Sequence, residues 1–213
     1  MQRRIFIALG LAGLAALSGC ETTGSIDRHA APETLKGAGW VLFSVTHERD
    51  MTAIARRAGN VTLFVDMRDL DRQQDLQRAF STQLATLSPV IESSFDDLWG
   101  RVFVRELPPG RYAFTQWTVF QNYVYFTRSY SPQPAPPPLT FEVQAGSVTY
   151  LGNLHGHLNW TRNALGVDML SSAEVTVRHE ADRDLAAIFK SYPQLRGKVD
   201  VKPLPAMRWA SPD

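Results

Sequence analysis

Cysteine is almost absent from this chain, with Cys20 standing alone. No internal disulfide can therefore staple the fold, and no cluster of thiolates can hold a metal. An excess of charge is missing too: 22 basic residues face 21 acidic ones and no basic run is present. That balance removes nucleic acid as an expected partner. The compact signatures of common catalysts are also lacking, for there is no G-x-S-x-G elbow, no H-E-x-x-H, no G-x-G-x-x-G and no phosphate loop ending in G-K-[ST]. Ser147 follows Gly146, but serine has hydrogen-bonding reasons of its own to sit in a turn. The expectation is a non-enzyme, with no catalytic residue and no cofactor.

What is present is strongly patterned. Hydrophobic residues make up 44% of the 213 positions and five are tryptophan, enough for one ordinary folded core. The organising stretch runs from Glu106 to Leu154. Pro109-Gly110 fits the centre of a type II turn, since proline presets φ at the second position and glycine accepts positive φ at the third. Arg111 to Phe120 leaves that turn as a strand. Further on, Phe141, Val143 and Ala145 alternate with Thr140, Glu142 and Gln144, the period of a strand with one face buried. Gly146-Ser147 breaks the run, and Val148 to Leu151 opens the next strand.

The same period marks strands at Trp40 to His47, with Val41, Phe43 and Val45 on one face, at Val61 to Met67, and at Val102 to Leu107. Asn122 to Tyr130 is expected to return antiparallel, with Tyr123 and Tyr125 on one side. Met51 to Ala58 reads as a helical turn. Leu76, Ala79, Phe80, Leu84 and Leu87 fall near helical spacing ahead of Pro89, although an extended excursion fits them as well. Ser131 to Pro138 lacks the backbone N–H at each proline and reads as a stiff extended crossover. Ala173, Val175, Val177 and His179 alternate with Glu174, Thr176 and Arg178. The period then changes: Leu185, Ile188, Phe189 and Tyr192 form one helical stripe over 182–192, with Asp182 as its cap and Pro193 as its stop. Val199 to Pro203 is expected to add a short edge strand.

Three groups of residues invite a functional reading. His155 and His157 on one strand point to one face and are the candidate metal ligands, with His47, His179 or Asp168 as a third donor. Asp96-Asp97 is a carboxylate pair of the kind that either chelates a cation or is simply solvated. Trp117, Tyr123 and Tyr125 would suit a glycan if exposed.

The N-terminus says where the protein lives. Met1 to Arg4 is a short positive region, Ile5 to Leu17 is apolar but too short to span a bilayer, and small residues follow. Leu17-Ser18-Gly19-Cys20 resembles the lipobox of bacterial lipoprotein signal peptides. The resemblance implies cleavage of residues 1–19, diacylglycerol on the Cys20 thiol, and a membrane partner gained through that lipid. Glu21 in place of aspartate then favours the outer membrane, facing the periplasm. Arg3-Arg4-Ile5-Phe6 partly matches a twin-arginine signal, an alternative export route. Residues 20–38 carry few large apolar side chains and read as a flexible tether, leaving 39–213 as a single domain.

Leu107 to Tyr112, Phe141 to Gly146, Thr149 to Gly152, Asp182 to Leu185 and Tyr192-Pro193 together resemble bacterial envelope lipoproteins with a transthyretin- or carboxypeptidase-regulatory-type core. This implies a mostly β fold, an antiparallel β-sandwich with a C-terminal amphipathic helix packed on it. The motifs are turn chemistry and carry no function of themselves. The expected role is a non-catalytic binding or structural module of the envelope, with an envelope protein or a glycan as partner. The alternatives are a metal-binding protein or metalloenzyme using His155 and His157, and a glycan-binding module using strand aromatics.

Overall fold

The computed structural model describes residues 37–49, 60–81, 93–122, 127–164, 166 and 168–212. Cys20 and the leader, the helical turn expected at 51–58, Leu84, Leu87, Tyr123 and Tyr125 lie outside them.

The chain is mostly β. It runs β1 (Gly39–Glu48), β2 (Asn60–Asp69), β3 (Gln74–Asp75), β4 (Ala79–Phe80), β5 (Leu98–Leu107), β6 (Gly110–Asn122), β7 (Thr127–Tyr130), β8 (Leu139–Val143), β9 (Val148–Arg162), β10 (Asp168–Arg178), α1 (Ala181–Ser191), β11 (Asp200–Val201) and β12 (Met207–Arg208). One sheet is ordered β12-β10-β9-β1-β5, with β11 also on β9. The other is ordered β3-β2-β6-β7, with β4 on β2 and β8 on β6.

Two-residue alternation decides what meets between the sheets. Val41, Phe43 and Val45 of β1, Leu154 and Leu158 of β9, and Val175 and Val177 of β10 share one buried cluster with Leu63, Val65, Phe114 and Val119 of the second sheet. The opposite face of the first sheet is covered by α1. Trp40, Leu42, Val148 and Tyr150 pack there against Ile188, Leu195, Leu185, Phe189 and Tyr192. Burying one such aliphatic side chain contributes roughly 1.5–3 kcal/mol. The helical stripe read from the sequence is thus the face that meets the sheet.

Four expectations are corrected. The first sheet is mixed rather than antiparallel, because β1 pairs parallel with β9. The whole second sheet lies between them in sequence and supplies the long connection that parallel neighbours require. Gly110 has φ of +154°, well past the roughly +80° of a type II turn, so the corner is more open and carries the chain from one sheet to the other. The helical reading of Leu76, Ala79 and Phe80 gives way to the extended one also open for them, with Gln74–Asp75 and Ala79–Phe80 forming β3 and β4 against β2. Finally, Glu180 and not Asp182 is the N-cap of α1, without a side-chain cap bond, while Asp182 and Asp184 lie in the first turn, where the helix dipole favours negative charge.

Candidate functional site

The site begins with a β-bulge. Between Leu42↔Tyr150 and Ser44↔Asn153, β9 spends one residue more than β1, and Gly152 there has φ of +117°, a conformation suited to glycine. The extra residue flips the parity of β9. Val148 and Tyr150 face α1 before it, and Asn153, His155 and His157 take over that face after it.

Register then arranges polar side chains in rows across the sheet. Ser44 lies beside Asn153, which pairs with Arg178; Thr46 lies beside His155, which pairs with Thr176; and His157 pairs with Glu174. Gly100 opposes Thr46 from β5. A Cβ at Gly100 would strike the Thr46 side chain and come within 2.9 Å of the Val45 carbonyl oxygen, so this row has no room for a larger residue.

The inner part of the face is a closed hydrogen-bond network. Asp184 Oδ2 accepts from Ser44 Oγ at 2.5 Å and from Tyr150 OH at 2.6 Å. Its Oδ1 accepts from Arg183 Nε at 3.0 Å and Nη2 at 2.8 Å. Asn153 Nδ2 donates to Ser44 Oγ at 2.6 Å and to Thr46 Oγ1 at 3.0 Å. Thr46 Oγ1 in turn lies 2.8 Å from His155 Nδ1. Ser44, Thr46, Asn153, His155 and Asp184 are all buried. Burial, then the neighbouring Asp184 carboxylate, pushes the Tyr150 hydroxyl far above its ordinary range. Burial, reinforced by Arg178, pushes the His155 imidazole down to about 3, so this ring stays neutral.

The outer part is more open. Glu48, His155 and His157 bring one potential ligand atom each to within 4.8 Å of one another. His157 Nδ1 is 2.9 Å from Glu48 Oε1, and Arg178 Nη2 donates to His157 Nε2 at 2.7 Å. The two imidazoles meet edge to face with centroids 4.8 Å apart.

The structure therefore places the histidine pair on one face, as expected, but supplies a different third donor. His47 points to the opposite, core side of β1 and holds Glu48 O through Nδ1 at 2.9 Å. His179 Nε2 is committed to Leu204 O at 2.9 Å. Asp168 pairs with Arg162 at the far end of β10. Glu48 lies one residue past the strand expected at Trp40 to His47, and because β1 extends to it, its spacing from Thr46 puts it on the same face. Asp96 and Asp97 are exposed in a bend. Ser147 Oγ donates to Gln144 O at 2.7 Å within its turn. Trp117 is only 4% exposed and donates its indole N–H to Trp209 O at 2.9 Å, so it belongs to the core and not to a glycan surface.

No protein-family model and no curated protein matches the chain. Among solved structures it is similar to a leucine-rich repeat protein from Bacteroides thetaiotaomicron VPI-5482 at 14% identity, with a TM-score of 0.29. That alignment covers 55% of this chain and 13% of the other, and a likeness so slight carries no argument.

Proposed function

We propose that this protein is a lipid-anchored module of the bacterial cell envelope, tethered through acylated Cys20 to the outer membrane and facing the periplasm, whose domain acts by non-catalytic binding or as a structural element. The order of positive region, short apolar run, small residues and Cys20 supports the anchor. Several acyl chains would make it durable, since each buried CH₂ contributes roughly 0.8 kcal/mol.

The observation that carries the non-catalytic reading is the saturation of Asp184. A catalytic carboxylate needs a lone pair facing a reacting group; this one is fully buried and spends both oxygens on Ser44, Tyr150 and Arg183. Such a network fixes α1 to the sheet. The finer reading, a transthyretin-type sandwich, is supported by two sheets sharing one core, and the parallel pairing of β1 with β9 departs from it.

The outer strands of the first sheet are capped locally, on β5 near its start and on β10 where it runs beyond its two-residue pairing with β12, which favours the loops as the binding surface over strand addition at those points. On β5, Ser93 Oγ accepts from Gly100 N at 3.0 Å and Ser94 N donates to Gly100 O at 2.8 Å. On β10, Tyr130 OH donates to Leu170 O, and Gln121 Oε1 accepts from Leu170 N at 3.1 Å. Cross-linking in intact cells followed by recovery from detergent-solubilised envelopes tests the role. A specific envelope protein or glycan should accompany the tethered protein, and recovery of none contradicts the proposal.

A further inference from the structure

We propose that Glu48, His155 and His157 form a divalent-cation site of the two-imidazole, one-carboxylate type, suited to zinc or another imidazole-preferring first-row ion, and that Arg178 occupies His157 until the ion displaces it. This goes beyond the envelope role and does not depend on the anchor.

Donor type and spacing carry the argument. Zinc holds imidazole nitrogen and carboxylate oxygen at about 2.0–2.2 Å, which sets neighbouring donors roughly 3–3.6 Å apart. Glu48 Oε1 and His157 Nδ1, at 2.9 Å, already have nearly that separation. The widest spacing in the trio is within 4.8 Å, so the remaining contraction is about 1 Å. It falls on the accessible partners, for the side chains of Glu48 and His157 are 47% and 34% exposed. His155, by contrast, is buried and held through Nδ1 by Thr46, which Asn153 holds in turn. This is the outer-shell support that orients a ligating imidazole, and it leaves Nε2 as the donor.

Arg178 explains how the trio rests without an ion. A guanidinium only donates, so Nε2 of His157 accepts from it, and the ring's single proton lies on Nδ1 towards Glu48. An ion bound at Nδ1 requires that proton to move to Nε2, with no net proton released. The new Nε2–H can no longer face Arg178, and Thr176 Oγ1, 3.4 Å away, is placed to accept it. Glu174, in register with His157, is engaged by Arg208 at 2.8 Å.

The test is calorimetric titration of the full chain, purified without a histidine tag, with Zn²⁺ alone, and a parallel Co²⁺ titration followed by visible absorption. Wild type should take up one equivalent with a Kd in the micromolar range or tighter. Glu48→Gln and His157→Ala, both at half-exposed positions and checked for folding by circular dichroism, should each weaken binding roughly tenfold or more. Arg178→Ala should bind more tightly than wild type. Failure of wild type to bind stoichiometrically, or unchanged affinity in the folded Glu48→Gln and His157→Ala variants, overturns the site. Equal or weaker binding by a folded Arg178→Ala overturns the displacement by Arg178.

Discussion

Ser44 and Asp184 stand 140 positions apart in sequence and share a 2.5 Å hydrogen bond that ties the first strand to α1. Tyr150 and Arg183 converge on the same carboxylate. Asp184→Ala would leave the O–H groups of Ser44 and Tyr150 without their acceptor, each costing about 1–3 kcal/mol as a buried unsatisfied donor, although Ser44 Oγ would still accept from Asn153. The variant should lose roughly 3 kcal/mol or more in urea unfolding, with Asp184→Asn intermediate because it keeps one acceptor. A loss below about 0.5 kcal/mol, the range of an ordinary surface change, would contradict the network's role.

Trp209 closes the other side of the molecule. Its side chain is fully buried, its indole N–H donates to Pro137 O at 2.8 Å, its backbone N–H donates to Val175 O, and its carbonyl accepts from Trp117. Trp209→Ala should destabilise by about 3–5 kcal/mol, with a visible loss of tryptophan fluorescence shift on unfolding. The larger share should come from the cavity, so Trp209→Phe should recover much of it even without the bond to Pro137. Equal losses in both variants would argue against this division.

Acid sensitivity is expected at the β2–β3 turn. Burial raises the Asp69 carboxyl, but the Arg72 backbone and side chain together with the Asp71 amide outweigh it, and the group sits below its ordinary 3.8. The bonds are 2.8 Å from Arg72 N, 2.7 Å from Arg72 Nη1 and 3.0 Å from Asp71 N. A depressed carboxyl stabilises the fold above its unfolded value, and that contribution disappears as pH falls through the folded value. Arg72 is half exposed, so solvent screening keeps the effect modest. Urea midpoints taken from about pH 6 down to about pH 3 should fall more steeply for wild type than for Asp69→Asn; parallel curves would refute the assignment.

Much of this was legible where a long strand has one kind of neighbour. Val41, Phe43 and Val45, or Val175 and Val177, announce a core face through period two alone, and Leu185 to Tyr192 announces the helix that covers the other face. The stretch around Ala79 and Phe80 was not legible, because two-residue strands are too short to show a period. The site was half legible. That His155 and His157 share a face follows from their spacing. That Glu48 joins them depends on parallel pairing between strands a hundred residues apart, and on a bulge at Gly152 that shifts parity by one. Pairwise register of that kind leaves no local trace, and Glu48 beside His47 and Arg49 looks like solvated loop charge.

The anchor is the central claim, and the N-terminal peptide of the native protein tests it most directly. Mass spectrometry of protein isolated from bacterial envelopes should find a first residue of Cys20 carrying diacylglycerol on its thiol. A peptide that begins elsewhere, or a Cys20 with a free thiol, would contradict it.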